Sequence, residues 1–248
     1  MRRAYRDPET RRVPHDTHDF ASAPPTPPLL LLLIRHAEQA TMQVRDAELS
    51  ARGRRQAERL AERLAHLPLT AVVCSSMRRA VATASAVASL HGLTPEVEPD
   101  LEEVRINEST RAARYKHREA ASRMEPDDAN YARAAMAGVR VVPGVVWGSD
   151  GGESGAALRA RVMPAMDRVI ARHPGGVVAC VAHGGVINAV LGEWTGQTRD
   201  MWFVPWHTGV SSVLVSGTER VLLGVNDASH LAHDEDMLHL VAAHVRGA

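Results

Sequence analysis

The sequence predicts an α/β fold: a three-layer sandwich in which helices cover both faces of a mostly parallel central sheet. Three short apolar segments, 29–34, 71–74 and 177–182, have the length and composition of strands that are buried on both faces. Segments with helical periodicity follow each of them, and strands that alternate with helices are typical of βαβ units. Ligands of such proteins bind outside the carboxyl ends of the strands.

Residues 1–28 precede the first strand and contain six of the 14 prolines, with little apolar material. Such a segment cannot bury enough surface to offset the entropy lost on ordering, so we predict a disordered tail or a leader. The apolar run 29–34 is shorter than a membrane span of about 20 residues or a signal-peptide core of about 7–15 residues. We therefore assign it as a strand, and we expect a cytoplasmic protein that does not bind membranes.

Periodicity and turn residues predict the elements that follow the first strand. Ser50 is a suitable N-cap for a helix whose apolar residues recur at helical spacing and which ends before Pro68. The other predicted elements are helices over 78–90, 153–173 and 184–191, an irregular, polar helical region over 111–139, and two strands, 210–215 and 220–225, that flank Gly217.

Charge and cysteine content exclude several classes of function. The 248 residues include 29 basic and 29 acidic side chains, so the chain has no net charge. This balance argues against broad electrostatic binding of nucleic acid or of an anionic membrane. Cys74 and Cys180 are too few for a disulfide scaffold or a cysteine-rich zinc site, and the 13 histidines form no HExxH motif. We expect neither a metal nor a cofactor.

Arginine and histidine side chains follow three of the predicted strands. Arg35 and His36 end the first strand, Arg78 and Arg79 follow the second, and His183 follows the strand over 177–182. A neutral histidine can attack phosphorus, and guanidinium groups bind phosphate oxygens through two parallel hydrogen bonds. One Arg–His pair is weak evidence in a chain with 28 arginines. The placement of these residues after separate strands is what predicts a phosphate site at one edge of the sheet.

Seven short motifs follow one another between residues 29 and 231. They are Arg35-His36-Ala37-Glu38, Leu49 with Gly53, Gln56 and Ala57, Cys74-Ser75-Ser76 with Arg79, Ala80 and Thr83, Leu101-Glu102-Glu103, Gly151-Gly152-Glu153-Ser154, His183-Gly184-Gly185, and Asn226-Asp227 with His230-Leu231. In this order they resemble the motifs of the histidine phosphatase superfamily, whose fold is that of phosphoglycerate mutase, and in particular its phosphatase branch.

The resemblance implies a phosphomonoester hydrolase that needs no metal and forms a phosphohistidine intermediate on a small phosphorylated metabolite. The implied site consists of the catalytic residues His36, Glu103 and His183, the phosphate-binding residues Arg35, Arg79 and Gly184, and the possible pocket residues Glu38, Met42, Glu102 and Glu153. His36 would be the nucleophile and Glu103 the proton donor. Glu102 is the alternative donor, because the two acids are adjacent.

Three departures from the family pattern concern the pocket. Ala37 stands where the family has glycine, Met42 stands where it often has asparagine, and residues 106–109 replace a Gly-x-Trp-x-Gly pattern. We expect these changes to affect the shape of the pocket and the choice of substrate more than the chemistry.

The resemblance divides the chain into the tail, a catalytic domain over residues 29–231 and a C-terminal extension over 232–248. Residues 104–147 are expected to form a small helical cap over the site. Its basic side chains either select a second anionic group on the substrate or form a solvated face; they are Arg111, Arg114, Lys116, Arg118 and Arg123.

Two other functions are compatible with the motifs. One is a cofactor-dependent phosphoglycerate mutase, which the absence of mutase-type insertions disfavours. The other is a non-catalytic protein that binds phosphorylated ligands, which the complete set of catalytic residues disfavours. The apolar residues 202–206 could support a homodimer.

Overall fold

The computed structural model describes residues 27–109 and 146–231. Its elements are, in chain order, β1 (Leu29–Arg35), α1 (Ala51–Leu64), β2 (Ala71–Cys74), α2 (Arg78–Ser89), β3 (Glu96–Val97), a 3₁₀ turn (Pro99–Leu101), α3 (Gly155–Arg172), β4 (Val177–Ala182), α4 (Gly184–Thr195), β5 (Val210–Ser216), β6 (Glu219–Asp227) and a second 3₁₀ turn (Ser229–Leu231). Each predicted element within these ranges is found, with its bounds correct to about one helical turn. No helix in the two ranges combines the length and the apolar composition that a membrane crossing needs.

The strands form one six-stranded sheet in the order β3-β2-β4-β1-β5-β6. The first four strands in this order run parallel to one another, whereas β5 is antiparallel to both β1 and β6. The predicted mostly parallel sheet is therefore confirmed. Sequence reasoning missed β3, because two residues are too few to show a periodicity.

The core lies on both faces of the sheet, since successive side chains of a strand point to opposite faces. Leu31 and Leu33 of β1 pack in one cluster with side chains of α3 and α4. Leu32 and Ile34 pack in a second cluster with side chains of α1 and α2. The central strand is thus buried on both faces, which explains its uninterrupted apolar sequence and confirms the three layers.

The start of α1 is fastened to the segment that follows β1. The Ser50 hydroxyl caps the helix by accepting from the Gly53 amide at 2.9 Å, and it donates to the Glu38 carboxylate at 2.5 Å. Gly53 permits this approach, because a Cβ atom there would lie 2.0 Å from the Glu38 carbonyl oxygen. The residues just after β1 therefore have a fixed position.

Ser50→Ala is expected to lower the free energy of unfolding by about 1 kcal/mol, the usual cost of losing an N-cap hydroxyl. Urea unfolding followed by circular dichroism measures the change. Ser89→Ala is the control, because the exposed Ser89 hydroxyl donates only to the Ala86 carbonyl within its own helix. Equal losses in the two variants would contradict a capping role for Ser50.

Several predicted segments lie wholly or largely outside the described residues. They include most of the tail, most of the cap over 104–147 with its five basic side chains, the helical region 111–139, and the extension over 232–248. The domain bounds 29–231 stay a prediction.

Candidate active site

The carboxyl edge of the parallel strands brings together three of the predicted residues. His36 follows β1, His183 follows β4, and Arg79 lies in the first turn of α2, which begins shortly after β2. The two imidazole rings are 5.0 Å apart between centroids. The Arg79 guanidinium donates to both rings, at 3.1 Å to His36 and 3.2 Å to His183. The three side chains therefore form one buried cluster.

The hydrogen bonds of His36 determine its tautomer. Its Nδ1 lies 2.7 Å from the Ala37 carbonyl oxygen, which can only accept, so Nδ1 carries the proton. Its Nε2 accepts from Arg79 Nε and therefore presents a lone pair. Burial, followed by the positive charges of Arg79 and Arg35, holds the pKa of His36 well below its usual value. His36 is thus a neutral imidazole whose Nε2 lone pair faces a guanidinium group, which is the form that the predicted nucleophile needs.

His183 is held in the opposite tautomer. Because Arg79 can only donate, Nδ1 of His183 is the acceptor, and Nε2 donates to the Ser75 hydroxyl at 2.8 Å. Burial, the neighbouring His36 and the arginines hold the pKa of His183 well below its usual value. Ser75 was not among the predicted site residues, although it belongs to the motif that contains Arg79.

The two predicted phosphate-binding arginines are held by backbone carbonyl groups. Arg79 Nη1 donates to the Arg45 carbonyl oxygen at 2.7 Å, and Arg35 Nη1 donates to the Pro205 carbonyl oxygen at 2.7 Å. Arg35 Nε is buried beside Gly184 and has no hydrogen-bond partner among the described residues. A buried donor of this kind needs an acceptor, and a phosphoryl oxygen is a suitable one.

The adjacent acids Glu103 and Glu102 have different partners. The Glu103 carboxylate accepts from the Gly185 amide at 3.1 Å, which places it at the start of α4, the helix that follows His183. Glu102 accepts from the Ser76 hydroxyl at 2.7 Å and pairs with Arg45 at 3.0 Å. These two groups hold the pKa of Glu102 below its usual value, which disfavours Glu102 as a proton donor. The geometry favours Glu103, and the assignment stays a prediction.

Gly185 is required for the approach of Glu103. A Cβ atom at this position would lie 2.4 Å from the Glu103 carboxylate oxygen. Gly185, the second glycine after His183, therefore makes room for an acid at the start of α4, whereas Gly184 lies beside Arg35.

The side chains of the possible pocket residues Glu38, Met42 and Glu153 contact other residues than the two histidines. Glu38 binds Ser50 and Arg52 at the start of α1. Met42 is exposed. Glu153 pairs with Arg161 at 2.7 Å, and Arg161 in turn donates to the Glu103 carbonyl oxygen at 3.3 Å. Glu153 is thus connected to the predicted acid, Glu103, through Arg161.

Sequence reasoning missed His207, which lies in the loop before β5. Its ring centroid is 5.7 Å from that of His36, on a buried side chain. Burial, followed by the charge of Arg35 and the neighbouring His36, holds the pKa of His207 well below its usual value. No motif named this residue, and the rule used to find the site considers only the carboxyl ends of strands.

The site has no recognisable metal-binding group within the described residues. In the ranges 27–109 and 146–231, no three or more His, Cys, Asp or Glu side chains are arranged to hold a metal ion.

Residues 31–228 match the family model of the histidine phosphatase superfamily (branch 1). The chain belongs to the histidine phosphatase superfamily. Within the superfamily, it is 30% identical over 213 residues to phosphoglycerate mutase-like protein 4 of Arabidopsis thaliana, which covers 81% of this chain and 86% of the relative. The family predicted from the seven motifs is therefore confirmed.

Solved structures share the histidine phosphatase fold. Bacillus stearothermophilus YhfR superposes with a TM-score of 0.62 at 22% identity, over 82% of this chain and 99% of that one. A mycobacterial glucosyl-3-phosphoglycerate phosphatase bound to VO₃ superposes with a TM-score of 0.60 at 22% identity, over 79% of this chain and 98% of that one. A phosphoserine phosphatase mutant of Entamoeba histolytica, bound to phosphoserine, superposes with a TM-score of 0.60 at 20% identity, over 82% of this chain and 99% of that one.

Proposed function

We propose that the protein is a phosphomonoester hydrolase that acts on a small phosphorylated metabolite through a phosphohistidine at His36. The observation that carries this proposal is the tautomer of His36. The hydrogen bond from Nδ1 to the Ala37 carbonyl oxygen fixes the ring and leaves a lone pair on Nε2, which lies 3.1 Å from a guanidinium nitrogen of Arg79. A protein that only binds phosphate has no need of such a nucleophile.

The first half-reaction transfers the phosphoryl group to the enzyme. His36 Nε2 attacks phosphorus in line with the leaving oxygen, so an N–P bond forms as the P–O bond breaks. Arg35 and Arg79 balance the negative charge that spreads over the other three oxygens. Glu103 gives its proton to the leaving oxygen, and the alcohol departs.

The second half-reaction releases phosphate. Glu103, now a carboxylate, takes a proton from a water molecule as the water oxygen attacks phosphorus. The N–P bond breaks, its electron pair returns to Nε2, and His36 is again neutral. The scheme needs no metal, because the two arginines supply the positive charge.

The named relatives suggest which substrates to test first. Phosphoserine and glucosyl-3-phosphoglycerate, which appear in the names of two structural neighbours, each combine a phosphomonoester with a carboxylate. The name of the Arabidopsis relative makes phosphoglycerate mutase the second candidate function. Its reaction would use the same phosphohistidine, with transfer to a second hydroxyl group instead of water.

A substrate panel tests the proposal. The purified protein is incubated in EDTA with p-nitrophenyl phosphate, phosphoserine, glucosyl-3-phosphoglycerate and 3-phosphoglycerate, and released phosphate is measured. Phosphate release from at least one compound is the expected result. Isomerisation of 3-phosphoglycerate without net release would instead show a mutase. Activity that disappears in EDTA and returns with a divalent metal would contradict the metal-free scheme.

A further inference from the structure

The last of the seven motifs, which contains Asn226 and His230, contacts a segment beside His36. This segment, residues 204–209, leads into β5, and we call it the β5 lead-in. The Asn226 side-chain oxygen accepts from the Trp206 amide at 2.7 Å. His230 Nε2 lies 2.9 Å from the Thr208 hydroxyl. Two side chains that the reaction scheme does not use therefore hold one segment at two places.

The β5 lead-in is itself bonded to the phosphate-binding Arg35. Its Pro205 carbonyl oxygen accepts from Arg35 Nη1 at 2.7 Å, and its Thr208 amide donates to the Arg35 carbonyl oxygen at 2.9 Å. The segment also carries His207, whose ring lies beside that of His36. A shift of the segment would therefore move a phosphate ligand and a neighbour of the nucleophile together.

The hydrogen bonds around His230 form a chain in which each group donates to the next, from Arg63 through His230 and Thr208 to the His207 carbonyl oxygen. Arg63 can only donate, so His230 Nδ1 accepts from it at 3.0 Å and Nε2 carries the proton. Nε2 donates to the Thr208 hydroxyl, which donates in turn to the His207 carbonyl oxygen at 2.7 Å. Burial and the charge of Arg63 lower the pKa of His230 to about 4, in agreement with a neutral ring.

Thr208 has a backbone conformation that it does not adopt without support. Its φ angle is 57°, in the left-handed region that β-branched residues avoid. The hydroxyl bond to His230 and the Asn226 bond to the lead-in are contacts that keep this conformation in place. Loss of either contact would let the segment relax toward an ordinary backbone angle.

We propose that His230 is a positioning residue of the active site, acting through Thr208 on Arg35 and His207, with Asn226 as the second anchor. The inference rests on the proposed function. It assigns a role to the last of the seven motifs, which the reaction scheme leaves without one.

Paired substitutions test the positioning role. His230→Leu removes the N–H donor, whereas His230→Gln keeps an N–H group near the place of Nε2. Thr208→Val removes the hydroxyl, whereas Thr208→Ser keeps it. We expect His230→Leu and Thr208→Val to lower kcat/KM by about 10- to 100-fold, the effect of misplaced reacting groups, and the Gln and Ser variants to recover most of it.

The double variant sharpens the test. If His230 acts through Thr208, the kcat/KM of the double variant His230→Leu, Thr208→Val is no lower than that of the more impaired single variant. The reason is that all three variants lose the same hydrogen bond between His230 and Thr208. Effects that multiply in the double variant would overturn the proposed route.

A stability control separates positioning from folding. Arg168→Gln removes the bonds of Arg168 to Glu98 and Asp100, which lie outside the site. All variants are assayed well below their melting temperatures. Arg168→Gln is expected to lower the melting temperature without changing kcat/KM. If His230→Leu behaves in the same way, its role is structural and the proposal is overturned.

A binding measurement keeps the inference separate from the proposed function. Calorimetry with inorganic phosphate measures the phosphate site without turnover. We expect the dissociation constant to rise at least about 10-fold in His230→Leu, because Arg35 is displaced in that variant. In His230→Gln the constant should return to the wild-type value, because Arg35 is again held in place. An unchanged constant would overturn the inference. A wild-type protein that binds phosphate but releases none from any substrate would instead overturn the proposed function.

Discussion

Replacement of His36 by alanine is expected to lower phosphate release by about 10⁴-fold or more, because the atom that forms the N–P bond is removed. His183 cannot take its place in the same position, since its Nε2 is bonded to Ser75. Initial rates with p-nitrophenyl phosphate measure the loss. Rapid quenching with a labelled substrate should show an acid-labile label on the wild-type protein and none on His36→Ala.

Two further histidine variants make this result specific. His66→Ala changes an exposed residue of the loop after α1 and should leave both rate and label unchanged. His183→Ala should reduce the rate, because a partner of Arg79 is lost, and yet keep the label on His36. A label that survives in His36→Ala, or that disappears only in His183→Ala, would show that the nucleophile is another residue.

The buried cluster of His36, Arg79 and His183, and the position of Arg35 next to it, could largely be predicted, because they follow from local sequence and one rule of topology. Each of these residues comes at or shortly after the end of a short apolar strand, and parallel strands carry their carboxyl ends to the same edge. The choice of Arg79 over the adjacent Arg78 needs in addition the family motif that contains Thr83. That part of the site is therefore visible in the sequence.

His207 could not be found by the same rule. β5 is antiparallel to β1, so the amino end of β5, and not its carboxyl end, lies at the edge that holds the site. Nothing in the apolar sequence of a strand states its direction. The residues that precede β5 reach His36 only because of the pairing, which is a property of the whole sheet.

The acids near the site show a second limit of sequence reasoning. Glu102 and Glu103 follow a 3₁₀ turn and lie in no helix or strand, so no periodicity states where their side chains point. Their different environments come from Arg45 and Gly185, which are distant in sequence. Glu153 is part of one of the seven motifs, yet its carboxylate pairs with Arg161 in the following helix and with neither histidine.

Glu103→Gln is expected to lower kcat by about 10²- to 10⁴-fold with alkyl phosphates, the usual contribution of a general acid. An amide has the shape of the carboxyl group but cannot give a proton to the leaving oxygen or take one from water. Glu102→Gln is the matched control at the adjacent position. It weakens the pair with Arg45 and should change kcat only a few-fold. Steady-state rates with phosphoserine measure both variants.

The leaving group distinguishes a proton donor from a residue that merely supports the site. An acidic phenol leaves without help, so Glu103→Gln should impair phosphoryl transfer from p-nitrophenyl phosphate far less than transfer from phosphoserine. A burst of p-nitrophenol followed by slow turnover is then expected, because hydrolysis of the phosphohistidine still lacks its base. If both substrates are impaired equally in the first step, Glu103 does not donate the proton. If Glu102→Gln shows the leaving-group dependence instead, the acid is Glu102, and its bonds to Ser76 and Arg45 must open during the reaction.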